Sequence, residues 1–246
     1  EPLAMFAVLP PWKWKQDIRR RVHPNYGSSD VRAKDPLAKA LATMYGQSIL
    51  DKLQIGTVAL FPDGSHDPES GFGAAAAVIF QKDEMHSWRE SKAARIVTNI
   101  GAPSTSAEAE ELASQTGLQQ LRRMLENLQE ESHAQLKASI TGVAILPDNQ
   151  FVEGELCNTA ITPKQSNALQ RAKVELHHIS QSARDLNMPV DISWIPSHCG
   201  LVGNSLADEL ASTAMKELRT EHQLTLDDGT IEWQLHRDTP ITARER

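Results

Sequence analysis

Hydrophobic and polar positions repeat with two different periods along this chain, and these periods predict strands and helices. Short apolar runs bounded by turn residues have the length and composition of buried strands. Longer stretches repeat apolar residues every three or four positions, as the buried face of a helix does. The predicted strands cover residues 55–61, 72–80, 93–99, 140–146 and 190–195. The predicted helices cover residues 36–53, 106–129 and 149–155, a long helix that begins at Thr162-Pro163, and a helix after the last strand.

The order of these elements predicts an α/β fold in which helices flank a mixed five-stranded sheet. Strands come first, and helices and strands then alternate, which favours a sheet with both antiparallel and parallel neighbours. The pattern divides the chain into an N-terminal extension or linker at 1–54, a main domain at 55–220 and a C-terminal tail at 221–246.

The extension carries a basic and aromatic segment, PPWKWKQDIRRR, in which Trp12 and Trp14 stand among lysines and arginines. Aromatic rings interleaved with cations are typical of surfaces that bind nucleic acid. The other interpretation is a linker whose tryptophans pack on the main domain, and the pattern does not decide between the two.

Composition narrows the class of protein. A chain of 246 residues with 40% hydrophobic content can bury one good core. Two cysteines, Cys157 and Cys199, without a CxxC pair, indicate a reducing intracellular compartment, with nucleus and mitochondrion both open. No apolar run has the length of a membrane span. Because the net charge is −7, binding of nucleic acid would depend on local basic patches or on metal ions.

Two aspartates occupy the same position relative to two predicted strands. Asp63 follows the apolar run VALF and opens PDGS, and Asp148 follows VAIL and opens PDNQ. Taken singly, each fits ordinary turn chemistry, because Pro-Asp-Gly is a favoured turn sequence. Their shared context favours a second interpretation, in which neighbouring strands bring the two carboxylates together.

The helix between these strands has three glutamates near its start, and its periodicity separates them. At about 100° per residue, Glu110 points the same way as the apolar stripe through Gly117 and Leu121. Glu111 lies about a quarter-turn off that stripe, and Glu108 lies nearly opposite. We therefore predict that Glu110 binds a metal with the strand-end aspartates and that the other two are solvated.

A last motif joins a loop histidine to a helix. The strand that ends before Pro196 leads into a glycine-containing loop with His198, and a helix with Asp208 follows. Asn204 or Ser205 is the predicted cap of that helix, and Asp208 would then complete a capping box. The alternative interpretation makes Asp208 a fourth carboxylate of the same site.

Carboxylates gathered in one place repel one another unless divalent cations neutralise them. Because all-oxygen ligands select a hard ion, the predicted cofactor is Mg²⁺ or Mn²⁺. Two such ions about 4 Å apart can catalyse in-line displacement at a phosphodiester, which is nuclease chemistry. The histidines indicate no rival metal site, since the sequence has no HExxH pattern.

Taken in order, these motifs resemble the type 1 ribonuclease H family across about residues 55–220. The four motifs are PDGS, AEELASQTGLQQL, PDNQFV and SHCGLVGNSLADELA. The second and fourth are most similar to ribonuclease H domains of non-long-terminal-repeat retrotransposons, in particular the ingi-like elements of trypanosomatids. The resemblance implies a ribonuclease H-like fold, with residues 1–54 as the connection from a reverse transcriptase.

The resemblance also implies a function, which is endonucleolytic hydrolysis of the RNA strand of RNA–DNA hybrids by two-metal-ion catalysis. The products would carry a 3′-hydroxyl and a 5′-phosphate, and His198 would assist proton transfer or product release. The implied partners are the hybrid and either a reverse transcriptase in the same polyprotein or a larger ribonucleoprotein. The implied metal ligands are Asp63, Glu110, Asp148 and Asp208. The implied substrate-binding residues are Gly64, Ser65, Gln150 and Asn204.

Two prolines keep a second hypothesis open. Pro62 and Pro147 precede Asp63 and Asp148, at positions where the family usually has threonine. Proline removes a backbone donor and fits poorly inside a central strand, so that either acid could be displaced. The alternative function is a catalytically impaired ribonuclease H-fold module that serves as a binding or scaffolding part of a ribonucleoprotein.

Overall fold

The computed structural model describes residues 36–83, 88–90, 96–101, 105–128 and 138–227. The tryptophan-containing basic segment, the start of the third predicted strand and most of the predicted tail lie outside these residues. Among the described residues, no helix is both long enough and apolar enough to cross a membrane.

The strands and helices follow the order that the sequence pattern predicts, with one short strand added. The strands are β1 (Thr57–His66), β2 (Gly73–Lys82), β3 (Trp88–Glu90), β4 (Ile96–Gly101), β5 (Gly142–Ile145) and β6 (Val190–Ile192). The helices are α1 (Pro36–Lys52), α2 (Ser106–Asn127), α3 (Gln150–Cys157), α4 (Asn167–Asp185) and α5 (Val202–Asp227). The added strand is β3, whose three residues are too few to show a period.

These strands form one mixed sheet. Strand β2 pairs antiparallel with β1 on one side and with β3 and β4 on the other. Strand β5 lies between β1 and β6 and is parallel to both. Because β3 and β4 pair with successive parts of β2, they share one edge position, and the described sheet has five strand positions. The predicted α/β class with a mixed sheet flanked by helices is confirmed.

The alternation of side chains along β1 divides the core into two layers. Val58 and Leu60 belong to a buried cluster with residues of α2 and α4. Ala59 and Phe61 belong to a second cluster with residues of α1 and of the segment 194–207. Because successive side chains of a strand point to opposite faces, both faces of the sheet are covered. The predicted apolar stripe of α4 is buried as expected, at Leu169, Ala172, Leu176, Ile179 and Ala183.

Helix α1, at the end of the predicted extension, packs on the second of these layers. Tyr45 is buried in the same cluster as Phe61. The Lys82 side chain, only 3% exposed, donates to three carbonyl oxygens at the end of α1, at 2.8 to 3.2 Å. Carbonyls at a helix C-terminus lack intrahelical partners and favour a cation. Residues of α1 are therefore buried in the same core as residues of the predicted main domain. The division of the chain at residue 54 stays a prediction.

The long helix α4 does not begin at Thr162-Pro163, as the sequence predicted. The Thr162 amide donates to the Gln165 side chain at 2.9 Å, which closes a turn before the helix. The helix is capped instead by Ser166, whose hydroxyl accepts from the Leu169 amide at 3.0 Å. Serine and threonine are both good caps, so local sequence did not distinguish them.

Helix α5 begins earlier and ends later than predicted. It starts at Val202, and the Ser205 amide already donates to the Leu201 carbonyl at 2.8 Å. Asn204 and Ser205 therefore lie inside the first turn, and the predictions of a cap at either residue and of a capping box with Asp208 are wrong. At its other end the helix continues to Asp227, into the predicted tail.

Candidate active site

Strand β1 continues past Pro62 and carries Asp63 in a paired position. Pairing with β2 runs through both residues as far as His66. Pairing with β5 ends at Leu60, whose carbonyl accepts from the Leu146 amide at 2.9 Å. The backbone groups of successive residues in a strand point to opposite neighbouring strands. Those of Pro62 therefore point to the same side as those of Leu60, which is the side on which β5 has ended. The missing N–H of Pro62 therefore leaves the pairing with β2 intact.

Asp148 lies just beyond β5 and is held by two donors. Trp194 Nε1 donates to its backbone carbonyl at 2.7 Å, and Asn204 Nδ2 donates to its Oδ2 at 3.2 Å. The preceding Pro147 lies outside the β5 ladder, and its carbonyl accepts from the Ile195 amide at 3.1 Å. The proline is accommodated beyond a strand end, and of the two donors to Asp148 only Asn204 belongs to the last sequence motif.

Glu110 reaches the site from the start of α2. Thr105 caps this helix by accepting a hydrogen bond from the Glu108 amide at 3.1 Å. The helix approaches β1 so closely that a Cβ at Gly64 would overlap the backbone at Glu110 and at the residue before it. Glycine is therefore the residue that lets α2 bring Glu110 to Asp63.

Asp63, Glu110 and Asp148 form one group, here called the carboxylate group. One carboxylate oxygen of each lies within 4.8 Å of the other two, and Asp63 is only 5% exposed. Burial, together with the charges of Asp148 and Asp208, raises the pKa of Asp63 from 3.8 to about 9. Burial and the neighbouring aspartates also raise the pKa of Glu110 well above its usual value. Burial raises the pKa of Asp148 to about 6, against the opposing effect of the Asn204 hydrogen bond.

The carboxylate group fits a divalent cation. Asp63 Oδ2 is buried and has no hydrogen-bond partner among the described residues. Carboxylate oxygens are the ligands of hard ions such as Mg²⁺. A cation bound here would offset the burial and the mutual repulsion that raise these pKa values. The group therefore has the oxygen ligands of a metal site and a buried negative charge that a cation would neutralise.

Asp208 lies beside the carboxylate group and faces His198. Its charge contributes to the raised pKa of Asp63 and of Glu110. Within the described residues, the oxygens that lie within 4.8 Å of one another do not include those of Asp208. Its Oδ2 lies 3.1 Å from His198 Nδ1, and both side chains are partly exposed. Three of the four predicted ligands thus come together, and the fourth is paired with the predicted auxiliary histidine.

The other two glutamates at the start of α2 differ from each other. Glu108 is exposed, as predicted, but Glu111 is only 7% exposed. The prediction that Glu111 is solvated is therefore wrong. The buried stripe of α2 runs through Ser114 and Leu118, one and two turns beyond Glu111. The predicted stripe through Gly117 and Leu121 is buried as well, so the buried face of α2 is wider than the helical wheel indicated and includes Glu111.

The predicted substrate-binding residues lie around the carboxylate group. Ser65 in β1 and Gln150 at the start of α3 each follow one of its aspartates by two residues, and both are partly buried. Gly64 has the packing role described above. Asn204 is 2% exposed, and its Oδ1 has no hydrogen-bond partner among the described residues. Its amide supports Asp148, a role that the sequence analysis did not predict.

Two further supports of the site were missed in the sequence. Trp194 was predicted only as part of a strand, and α1 only as the end of a linker. In the structure Trp194 is buried and holds Asp148, and its ring centroid lies 5.7 Å from that of Tyr45 in α1. The signal that was available is chemical, because a buried indole N–H needs an acceptor.

The chain matches a known protein family and is similar to several solved structures. The sequence model of the RNase H family matches residues 56–216, which is more than half of the chain. The chain is similar to the N-terminal RNase H domain of rv2228c from Mycobacterium tuberculosis, solved as a fusion with maltose-binding protein. The identity is 20% and the TM-score 0.47, with 68% of this chain and 98% of that chain covered. No curated protein sequence matches this chain.

Two more solved structures are similar. For RNase H1 from the halophilic archaeon Halobacterium salinarum NRC-1, the identity is 20% and the TM-score 0.40, covering 66% of this chain and 99% of that chain. For LC11-RNase H1, isolated from compost by a metagenomic approach and solved in complex with an RNA/DNA hybrid, the identity is 19% and the TM-score 0.41, covering 65% and 97%.

The mixed sheet, the helices on both of its faces and the acidic group at its central strands define an α/β domain with a carboxylate site suited to a divalent cation. With the match over residues 56–216, the chain belongs to the RNase H family. Helix α1 ends at Lys52, before the matched segment begins.

Proposed function

We propose that this protein is a ribonuclease H, an endonuclease that hydrolyses the RNA strand of RNA–DNA hybrids. The observation that carries the proposal is the carboxylate group, with oxygens within 4.8 Å of one another, in a chain of the RNase H family. In this reaction a water oxygen attacks phosphorus and the bond to the 3′ oxygen breaks. The attacking water loses a proton and the 3′ oxygen gains one, which leaves a 3′-hydroxyl and a 5′-phosphate.

Mg²⁺ is the proposed cofactor, with Mn²⁺ as a substitute. When bound, the metal would activate the attacking water and stabilise the charge on the leaving oxygen. Asp63, Glu110 and Asp148 would hold it, with Asp208 as a further ligand. Because burial raises the pKa of these three carboxyl groups, binding a cation displaces protons from them, and metal affinity should rise with pH.

His198 is proposed to carry a proton beside the carboxylate group. An ionised carboxylate can only accept a hydrogen bond, so Asp208 fixes the ring hydrogen on the facing Nδ1, at 3.1 Å. The other nitrogen, Nε2, is then the atom that accepts and releases a proton. The partial exposure of the ring is consistent with proton transfer at the departing oxygen or with release of product.

Selection of a hybrid over duplex DNA requires recognition of RNA 2′-hydroxyls. We propose that Ser65 and Gln150 contact the substrate directly, because a hydroxyl and an amide can both donate and accept hydrogen bonds. Gly64, which has no side chain, would let the backbone of β1 approach the substrate. Asn204 would act mainly through Asp148, since its amide already donates to that carboxylate.

The alternative function, a catalytically impaired scaffold, depended on the two prolines. Neither proline separates the acids, since Asp63 and Asp148 both belong to the carboxylate group. Pro62 faces the side on which β5 has ended, and Pro147 lies just beyond β5. The geometry therefore favours the enzyme over the scaffold.

The relationship to ingi-like retrotransposon domains stays a prediction from the amino-acid sequences of two motifs. So do the proposed protein partners, a reverse transcriptase in the same polyprotein or a larger ribonucleoprotein. A reverse transcriptase encoded upstream in the same reading frame would support both, and a short independent reading frame would argue against them.

Cleavage of a labelled RNA strand tests the proposed function. The RNA is paired with DNA, paired with RNA, or left single-stranded, in Mg²⁺ or Mn²⁺. Wild type is compared with Asp148→Asn and with the matched control Asp191→Asn, whose carboxylate is exposed on β6. Wild type and Asp191→Asn should cleave only the hybrid, and Asp148→Asn should not. Equal cleavage by all three proteins would identify a contaminant, and hybrid binding by wild type without cleavage would favour the scaffold.

A further inference from the structure

Helix α1 lies outside the segment that matches the RNase H family, yet it packs on the loop that carries His198. The match begins at residue 56, and α1 ends at Lys52. The loop in question, residues 196–201, is called the histidine loop below. Leu201 and Cys199 of this loop are buried in one cluster with Tyr45 of α1.

The backbone of the histidine loop is strained at the histidine itself. His198 has a φ of +49° and Gly200 a φ of +83°, both in the left-handed region. Residues with a Cβ populate this region sparsely and remain there when their surroundings hold them. Relaxation of His198 would move its ring away from Asp208, whose Oδ2 lies 3.1 Å from His198 Nδ1.

Hydrogen bonds at the next residue hold this conformation. Thr43 Oγ1 of α1 donates to the Cys199 carbonyl at 2.8 Å, the shorter of its two contacts with an acceptor. The Lys39 carbonyl of the same helix, at 3.0 Å, is the other acceptor within reach of its single hydrogen. Cys199 Sγ donates to the Pro196 carbonyl at 3.1 Å, which closes the loop on itself. The residue that follows His198 is therefore tied both to α1 and to the start of its own loop.

Apolar contacts join α1 to both sides of the site. Leu201 packs directly on the backbone of α1, because a Cβ at Gly46 would overlap its side chain. Tyr45 packs on Trp194, with ring centroids 5.7 Å apart, and Trp194 Nε1 donates to the Asp148 carbonyl. Helix α1 thus contacts the loop of His198 and the residue that supports Asp148.

Helix α1 is itself fixed to the sheet at its other end. The buried Lys82 ammonium of β2 donates to the carbonyls of Leu50, Asp51 and Leu53. These contacts connect the sheet through α1 to the histidine loop.

We propose that α1 is a positioning element of the active site and that Thr43 is a positioning residue, which holds His198 beside Asp208 through the Cys199 carbonyl. The catalytic consequence rests on the proposed ribonuclease H function. The structural consequence, a fixed conformation of the histidine loop, does not.

The test uses Thr43→Val in the 246-residue chain, because valine keeps the shape of threonine and removes only the donor. Thr43→Ser restores the hydroxyl. Ser48→Ala is the matched control, since Ser48 Oγ donates within α1 to the Tyr45 carbonyl. Two quantities are measured: amide hydrogen exchange of residues 197–201, and kcat and KM for hybrid cleavage.

Loss of one hydrogen bond should speed exchange of the loop amides by about fivefold in Thr43→Val and lower kcat by a similar factor, with KM unchanged. Thr43→Ser and Ser48→Ala should match wild type. Unchanged exchange in Thr43→Val would overturn the proposal. If wild type cleaves no hybrid, the proposed function fails, and the exchange measurement still decides whether α1 orders the loop.

A second variant acts on α1 from its far end. Lys82→Met removes the ammonium that binds the last carbonyls of α1. Exchange should rise both in the last turn of α1 and in the histidine loop. Faster exchange in α1 with no change in the loop would show that the loop orders itself, which would also overturn the proposal.

Discussion

The two sides of the candidate active site are built in different ways. The carboxylate group is partly or fully buried, and α2 reaches it through a backbone contact at Gly64. His198 and Asp208 are more exposed, and the histidine has a left-handed backbone on a loop that α1 contacts. The carboxylate group is therefore fixed by contacts within the segment that matches the family, whereas the loop of His198, the proposed proton carrier, also contacts a helix outside that segment.

The largest expected effect is on the carboxylate group. Glu110→Gln should lower hybrid cleavage by more than about 100-fold, because the loss of groups that merely orient a metal ligand already costs 10 to 100-fold. Glu108→Gln is the matched control, two residues away on the same helix and exposed. Steady-state cleavage rates in Mg²⁺ provide the measurement. Equal losses in both variants would mean that the start of α2, and not the Glu110 carboxylate, had been disturbed.

The next effect concerns the histidine side alone. His198→Ala should lower kcat by about 10 to 100-fold, at or below the range for general acid–base catalysis, while Mg²⁺ binding stays close to that of wild type. Calorimetric titration of Mg²⁺ and single-turnover cleavage separate the two quantities. A parallel loss of metal affinity would contradict the division of the site into two sides.

Gly64→Ala tests how the carboxylate group is assembled. Its Cβ would overlap the backbone of α2, so the variant should lose about 1 to 3 kcal/mol of unfolding free energy, as overpacked sites do. Cleavage should fall because Glu110 moves with the helix. Gly154→Ala is the control, since a Cβ there has nothing within 4 Å, and alanine should stabilise α3 slightly. Denaturant unfolding measures the unfolding free energy of both variants. Equal stabilities would contradict the packing role of Gly64.

The last prediction is a pH dependence of the metal-free protein. The folded pKa of Asp63 is about 9, against 3.8 in its usual state, so the folded chain holds a proton that the unfolded chain has lost. This contribution to stability is complete below the unfolded pKa and is lost as the pH rises towards the folded value. In EDTA, Asp63→Asn should therefore gain Tm relative to wild type between about pH 5 and about pH 8.

Addition of Mg²⁺ should reverse this difference, because the cation stabilises the deprotonated carboxylates of wild type and loses a ligand in Asp63→Asn. Thermal unfolding of both proteins with and without Mg²⁺ measures it. A difference in Tm that does not change with pH would contradict the raised pKa of Asp63.

Local sequence predicted the site correctly where the same motif occurs twice in the chain. The paired contexts of Asp63 and Asp148 predicted that these acids meet, and they do. Glu110, chosen among three glutamates, does join the two aspartates, and the stripe that supported this choice is buried. The buried face is wider than that stripe, and Glu111 was therefore wrongly assigned to solvent. A helical wheel shows direction but not which neighbour covers each face.

Local sequence was a poor guide to contacts between distant elements. Asn204 fits a helix cap by residue type, but its amide is used by Asp148. Threonine and proline at 162 and 163 fit a helix start, but the chain turns once more before Ser166 caps the helix. In both cases several conformations satisfy the same local preferences, and packing selects one of them.

The alternation of strands and helices and the residues able to bind a hard cation follow from the amino-acid sequence alone, because side-chain period and ligand chemistry are local properties. Packing established that Asp63 and Asp148 stay together despite the prolines before them. Pro62 faces the side on which β5 has ended, and Pro147 lies beyond β5, where its carbonyl still accepts a hydrogen bond from Ile195. Packing also established that α1 belongs beside His198, because burial of Tyr45, Leu201 and Trp194 brings together parts of the chain that share no local pattern.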